Sequence, residues 1–301
     1  MNITIFYPLI LLSLTPFRAD RVEIVKEDGK SIVYLFGNVT IEQESTTITC
    51  LEAQLNETDG LVLLKDSILI KNPDGEIKAE NAIYYFESRT GFLRRNVALS
   101  RRDQVITADS LDYDGIKKFL RMWGNIKIED LRNEQIAYGE EGWYDIGEEK
   151  GSLKKNPHLE ISRKDKSPML IRAREFFLLN KENKFYGYDS IEGTIDSITI
   201  YCDTMEYNLK EDHGFLKRPI VREKKNELQG DFGEFLLREK NLEYFKVFNG
   251  TGNYWTKEGS QNIVSGDTIT ILFKENRAFR VWIEGSPKGV LILKEKENAK
   301  D

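Results

Sequence analysis

The chain has 301 residues, of which 40% are hydrophobic and 31% are charged, and its formal net charge is −6 at pH 7. The apolar fraction is large enough to build a sizeable core, and the length allows one or two domains. A weakly acidic chain lacks the strongly basic balance of a general nucleic-acid-binding protein, so we predict no nucleic-acid partner.

The chain begins with an apolar run, Ile3–Leu14, which Pro8 interrupts. A membrane-spanning helix needs about 20 apolar residues, so this run is too short to cross a bilayer, but it has the length of the apolar core of a signal peptide. We therefore predict export, with a signal peptide over residues 1–19 that ends at Ala19. The alternative is that the run forms a buried first strand.

An eight-residue pattern recurs along the rest of the chain. It reads apolar, any, small, acidic, any, apolar, any, and finally aromatic or apolar, and it is clearest at Ile106–Tyr113. Other copies occupy residues 77–84, 200–207, 228–235 and 264–271, and looser copies begin at Ile48, Ala137 and Ile171. Eight copies at a spacing of about 30 residues indicate a repeat protein.

Within each copy the apolar positions change parity between the third and the sixth residue. A regular strand keeps one face at alternate residues, and a β-bulge changes that parity because it inserts one extra residue. We predict a bulge or a sharp corner at the acidic residue, whose carboxylate accepts hydrogen bonds from backbone amides that the corner leaves unpaired. The alternative, a row of metal-binding acids, is disfavoured because Leu51 and Arg174 replace the acid in two copies.

A polar turn and a second apolar strand follow each copy. The pairs Asp59-Gly60, Asp114-Gly115, Gly37-Asn38 and Gly124-Asn125 are typical of hairpin turns. Two strands per repeat predict an all-β fold of stacked repeats that form two facing sheets. We assign residues 20–293 to this repeat domain, with a possible soft division near 147–157, and residues 294–301 to a charged tail.

The sequence contains no motif that is characteristic of catalysis. A Gly-x-Ser-x-Gly elbow, a phosphate-binding loop and a His-Glu-x-x-His sequence are all absent, so we predict a protein that is not an enzyme and uses no cofactor or metal. A pair of carboxylates that cleaves a polysaccharide remains an alternative, since some stacked β folds do this. The cysteines, Cys50 and Cys202, both occupy the small position of the pattern, and we predict that they are unpaired core residues because their repeats lie far apart.

The motifs resemble those of the OstA-like family, which includes the periplasmic bridge proteins of lipopolysaccharide transport and the periplasmic domain of the outer-membrane translocon. The resemblance rests on a Gly-Asn-apolar sequence followed, after about ten residues, by the pattern itself. Matching segments are 37–39, 96–97 with 106–113, 124–126, and 265–271 with 274–276. It implies an elongated open β-jelly roll whose apolar interior carries acyl chains, and end-to-end strand pairing with other OstA-like transport components.

The resemblance thus implies a periplasmic bridge protein that carries lipopolysaccharide or a related glycolipid toward the outer membrane. The first and sixth positions of the pattern then line the groove, and the candidate ligand-binding residues are Ile77, Ile106, Leu111, Ile171, Phe176, Ile200, Met205, Val264 and Ile269. From the residues alone, these side chains form either a groove or a dry core. A structural module that pairs edge to edge with its partners remains the second hypothesis.

Overall fold

The computed structural model describes residues 16–27, 30–43, 45–56, 58–73, 75–85, 87–101, 103–256, 259–274 and 277–293. The apolar run at residues 3–14 and the charged tail at residues 294–301 lie outside the described residues. The contacts within the chain divide it into two compact units. Unit 1 extends to Pro157 and includes Leu179–Lys181, and unit 2 consists of His158–Leu178 and the chain from Glu182 onward.

The described residues form 24 strands, and the pairings with a defined register are antiparallel. This confirms the predicted all-β repeat fold, but the strands form one continuous sheet and not the two facing sheets that the sequence predicted, because the long strands bend at corners instead of ending there. In unit 1 the strands are β1 (Phe17–Arg18), β2 (Arg21–Glu27), β3 (Lys30–Gln43), β4 (Thr46–Asn56), β5 (Leu61–Asn72), β6 (Gly75–Tyr85), β7 (Thr90–Arg101), β8 (Gln104–Asp114), β9 (Phe119–Asp130), β10 (Gln135–Asp145) and β11 (Lys150–Lys154).

The chain continues through β12 (His158–Arg163), β13 (Lys166–Arg172), β14 (Glu175–Leu179), a 3-10 turn (Asn180–Glu182), β15 (Lys184–Ile195), β16 (Ile198–Asn208), β17 (His213–Lys217), β18 (Ile220–Glu223), β19 (Asn226–Gln229), β20 (Phe232–Arg238), β21 (Asn241–Trp255), β22 (Gln261–Lys274), β23 (Arg277–Glu284) and β24 (Lys288–Ile292). From β3 to β10 each strand pairs with the next one along the chain.

In four copies of the repeated pattern the register with the preceding or following strand shifts at the acidic position: Glu80, Asp109, Glu140 and Asp203. In β8 the register with β9 shifts between Thr107 and Ser110, so Asp109 lies at the shift. Ile106 and Ala108 are buried before the shift, Leu111 is buried after it, and Asp109 is exposed. The irregularity that the parity change predicts is therefore confirmed as a corner, which keeps both halves of the strand facing the same interior. The extra residue belongs to β9, where four steps from Lys127 to Trp123 face three steps from Thr107 to Ser110. In unit 2 some copies are split into two strands instead, as β19 and β20 are at Asp231.

The extra residue of the neighbouring strand lies at a pair of successive residues that have left-handed backbone angles. Gly124 and Asn125 have φ of 71° and 47° inside β9, and Gly37 and Asn38 repeat this inside β3 with 72° and 43°. The prediction that these Gly-Asn pairs form hairpin turns is wrong. Two left-handed residues suit either a tight hairpin turn or a mid-strand corner, so the dipeptide alone does not distinguish them. The pair Asp59-Gly60, by contrast, does form a turn between β4 and β5.

The acidic residue holds the corner through the asparagine side chain. The Nδ2–H of Asn125 donates to Oδ2 of Asp109 at 2.9 Å, Asn96 donates to Glu80 at 2.5 Å, and Asn249 donates to Asp231 at 3.0 Å. The predicted acceptance from backbone amides occurs at Glu140, which accepts a 3.3 Å hydrogen bond from the N–H of Asn125. The carboxylate is thus structural, but its main partner is an amide side chain.

A further copy of the pattern, which was not recognised in the sequence, occupies Phe17–Ile24. Phe17 and Arg18 pair with Ile41 and Thr40 of β3, and Asp20 accepts a 2.9 Å hydrogen bond from Nδ2 of Asn38. The backbone N–H of Asp20 donates to the carbonyl of Gly37 at 2.9 Å. Cleavage of the predicted signal peptide after Ala19 would cut this copy immediately before its acidic residue, Asp20.

Candidate functional site

Unit 1 contains an apolar cavity of about 80 Å³. Two rows of cross-strand neighbours face it from opposite sides of the corners. One row, here called the isoleucine row, is Ile48, Ile70, Ile77 and Leu99, and the other, the leucine row, is Leu64, Ala82, Leu93 and Leu111. The cavity therefore lies between the two halves of the bent strands.

Two tyrosines also line the cavity, and each lies two residues beyond a member of the leucine row, farther from the corner. Tyr84 and Tyr113 are the cross-strand neighbours of Gly91, one on each side, and all three residues line the cavity with Leu120. A Cβ atom at Gly91 would lie 3.4 Å from Cδ2 of Tyr84, so the ring packs over the glycine. Burial raises the pKa of Tyr84, so its phenol stays neutral at ordinary pH.

The lining carries almost no polar surface. Thr46 and Asn72, at the ends of β4 and β5, are its polar side chains apart from the tyrosines. A cavity with such walls offers contact to methylene groups and no charged partner, so it suits an apolar chain better than a polar metabolite. Within the part of the chain that the structure describes, no group of three or more His, Cys, Asp or Glu side chains is placed to hold a metal ion.

Two of the nine predicted ligand-binding residues, Ile77 and Leu111, line this cavity. Ile106 is buried beside it, as the cross-strand neighbour of Leu99. The other six lie in the interior of unit 2: Met205 and Ile269 in its buried core, Ile171, Ile200 and Val264 half-buried against that core, and Phe176 buried against Phe185 with ring centroids 4.9 Å apart.

The sequence analysis missed most of the lining because it considered the repeated pattern and not the strands between its copies. Leu64 and Leu93 belong to those intervening strands, β5 and β7. Both lie in short continuous apolar segments that directly follow a glycine, residues 61–64 and 92–93, and such a segment after a turn signal would have identified them. Tyr84 and Tyr113 occupy the last position of the pattern, which was not included among the candidates.

The apolar side chains of unit 2 form a buried core. Phe245, Val247 and Ile269 are completely buried, and Phe235 and Phe273 pack in the same cluster. The rings of Tyr207 and Phe235 stack with centroids 5.9 Å apart and planes within 8° of parallel. The hydroxyl of Tyr207 donates to Oδ1 of Asp212 at 2.6 Å, which fixes that ring.

Both cysteines are buried and free, and their burial confirms that the small position of the pattern is a core position. Desolvation raises the pKa of Cys50 to about 11 and that of Cys202 to about 12. Thiols with such high pKa values are poor nucleophiles, because the thiolate is the reactive form. Neither cysteine thus has the environment of a catalytic residue.

Part of the sequence matches a known protein family. Residues 14–162, which include nearly all of unit 1 that the structure describes, match the family model described as OstA-like protein. A search of curated proteins finds no match. In the described part of the chain, no helix has the length and hydropathy needed to span a membrane. Through residues 14–162 the chain therefore belongs to the OstA-like protein family.

Proposed function

We propose that the protein is a periplasmic carrier of lipopolysaccharide or a related glycolipid, and that it holds an acyl chain of its cargo in the cavity of unit 1. The single observation that carries this proposal is the cavity itself, whose walls are aliphatic side chains and tyrosine rings. Each methylene group that enters such a site contributes about 0.8 kcal/mol from the burial of apolar surface. Membership of the OstA-like family supports the assignment to lipopolysaccharide transport.

The apolar run at residues 3–14 supports export to the periplasm. A carrier of this kind binds and releases its cargo without a chemical step, and the inert environment of both cysteines is compatible with a function other than catalysis. N-terminal sequencing of the protein from its host tests the export: a mature chain that starts before Phe17 is expected, because Phe17 and Arg18 pair with β3. An intact Met1 in a cytoplasmic fraction would contradict it.

A second function, assembly with other OstA-like components by strand pairing, is favoured by exposed apolar side chains on the end strands. Ile24 in β2 is 64% exposed, and Val290 and Leu291 in β24 are 60% and 57% exposed. Strands with exposed apolar side chains are potential pairing sites for another chain. This function and cargo binding are compatible, since they use different residues.

The test of the carrier function uses a matched pair of variants. Ile77 and Ile200 both occupy the first position of the pattern and both are half-buried, but Ile77 lines the cavity and Ile200 packs against the core of unit 2. A carboxylate at a half-buried position can reach water, so each variant is expected to fold. Ile77→Glu should lose photocrosslinking to lipopolysaccharide, whereas Ile200→Glu should retain it. Equal crosslinking by both folded variants would place the cargo elsewhere.

A further inference from the structure

We propose that the two units differ in cargo capacity, and that one side chain in each decides this: Leu120 leaves the interior of unit 1 open to an acyl chain, and Phe245 closes the interior of unit 2. This inference rests on the proposed carrier function. It limits the cargo to unit 1 and gives unit 2 a closed, packed interior, although both units are built from the same repeated pattern.

The two residues occupy equivalent positions. In unit 1, Tyr84, Gly91, Tyr113 and Leu120 are successive cross-strand neighbours in β6, β7, β8 and β9. In unit 2, Tyr207, Gly214, Phe235 and Phe245 are successive cross-strand neighbours in β16, β17, β20 and β21. Both rows read aromatic, glycine, aromatic, and they differ in the fourth residue, which is leucine in unit 1 and phenylalanine in unit 2.

The consequence of the ring is visible in the packing. In unit 1 the four residues of the row all line the cavity. In unit 2 Phe245 is fully buried, and Phe235 is pressed over Gly214 so closely that a Cβ atom there would overlap its ring. Phe235 also stacks on Tyr207, so the two rings cover the glycine together. The position that contributes to a cavity wall in unit 1 is thus part of a packed aromatic cluster in unit 2.

An acyl chain could enter unit 2 only by displacing packed rings. Removing a buried aromatic ring from its contacts is costly enough to weaken binding by about a hundredfold relative to a site that is already open. In unit 1 no ring has to move, because the space is already present. We therefore expect an acyl chain to occupy unit 1 alone. This selectivity comes from the packing of the side chains, since both interiors are apolar.

The first experiment maps the cargo on the wild-type protein. The full chain is incubated with a fatty acid that carries a photoreactive diazirine, irradiated and digested, and the labelled peptides are identified by mass spectrometry. Label confined to peptides from residues 46–120 supports the inference. Comparable label in peptides from residues 185–283 would overturn it while leaving the carrier function intact. Absence of label from both units would overturn the carrier function, and the inference with it.

The second experiment exchanges the two side chains. Leu120→Phe should reduce labelling of unit 1 by about tenfold or more, since the ring occupies the cavity, and Phe245→Leu should create labelling in unit 2. A folded Leu120→Phe variant with undiminished label, or a folded Phe245→Leu variant with no label in unit 2, would overturn the assignment to these residues. If Phe245→Leu fails to fold, the wild-type map and Leu120→Phe still decide the question.

Discussion

Replacing Gly124 by alanine tests whether the mid-strand corners hold unit 1 together. A Cβ atom at Gly124 would overlap Oδ2 of Asp109 and lie 2.9 Å from the Cβ of Asp109, so the carboxylate must move away from Asn125. Gly60 provides the matched control, because its φ of 60° is also left-handed but the nearest side-chain atom to its added Cβ is 4.0 Å away. The two variants share the backbone strain and differ in the contact with the acid.

The expected magnitudes follow from these contacts. A left-handed backbone costs a non-glycine residue about 1–2 kcal/mol, and we expect Gly60→Ala to lose an amount in this range. Gly124→Ala loses in addition the hydrogen bond from Asn125 to a charged acceptor, which is exposed and contributes about 1.5 kcal/mol. We therefore expect Gly124→Ala to be destabilised by about 3 kcal/mol in total.

The assay is urea unfolding followed by tryptophan fluorescence. Trp123 and Trp143 belong to unit 1, whereas Trp255 and Trp282 belong to unit 2. Both variants are therefore made in a chain that also carries Trp255→Phe and Trp282→Phe, so that the signal reports on the unit that carries the glycine substitutions. The difference between the two variants in the free energy of unfolding measures the contribution of the acid–amide corner. Equal destabilisation of Gly124→Ala and Gly60→Ala would refute the view that Asp109 occupies the space required by the glycine.

Three further predictions follow from the same structure. Asp109→Asn keeps an acceptor for Asn125 while Asp109→Leu does not, so the leucine variant should be less stable by about 1 kcal/mol in urea unfolding; equal stability would contradict a structural role of the acid. Burial keeps the thiols of Cys50 and Cys202 protonated in the folded state, with pKa values of about 11 and about 12, whereas an unfolded thiol titrates near 9.0. Stability should therefore fall as the pH rises above 9, and this part of the slope should disappear when both cysteines are replaced by alanine. Met205→Glu buries an unpaired carboxylate in the packed core of unit 2 and should lower the melting temperature more than Leu111→Glu, whose carboxylate faces the cavity; the reverse order would contradict the contrast between the two interiors.

The repeated pattern predicted the class of fold and the location of the bulges, because both depend on short-range periodicity. The change of parity around Asp109 is visible in eight residues, and a bulge or a corner is needed to keep both apolar halves on one face. The partner of the acid was not predicted correctly, because Asn125 is 16 residues away along the chain and faces Asp109 only after β8 and β9 have paired. Contacts of this kind depend on register, which the local pattern does not reveal.

The candidate site was predicted less completely than the fold, for a physical reason. Ile77 and Ile200 occupy the same position in the pattern, but one lines a cavity and the other packs against the buried core of unit 2. In our proposal the difference depends on the size of side chains on neighbouring strands, such as Leu120 and Phe245, which are distant from both residues in sequence. Whether apolar side chains leave space between them is a property of their packing, and periodicity reports only which face they share.

The most direct test of the central claim is native mass spectrometry of the full-length protein purified from its own host without detergent. We expect a population whose mass exceeds that of the polypeptide and which releases an acylated glycolipid on denaturation. The same preparation of Ile77→Glu should give the mass of the polypeptide alone, while Ile200→Glu should keep the additional mass. A wild-type protein that is recovered entirely without lipid, or an Ile77→Glu variant that retains it, would contradict the proposal that the cavity of unit 1 carries the cargo.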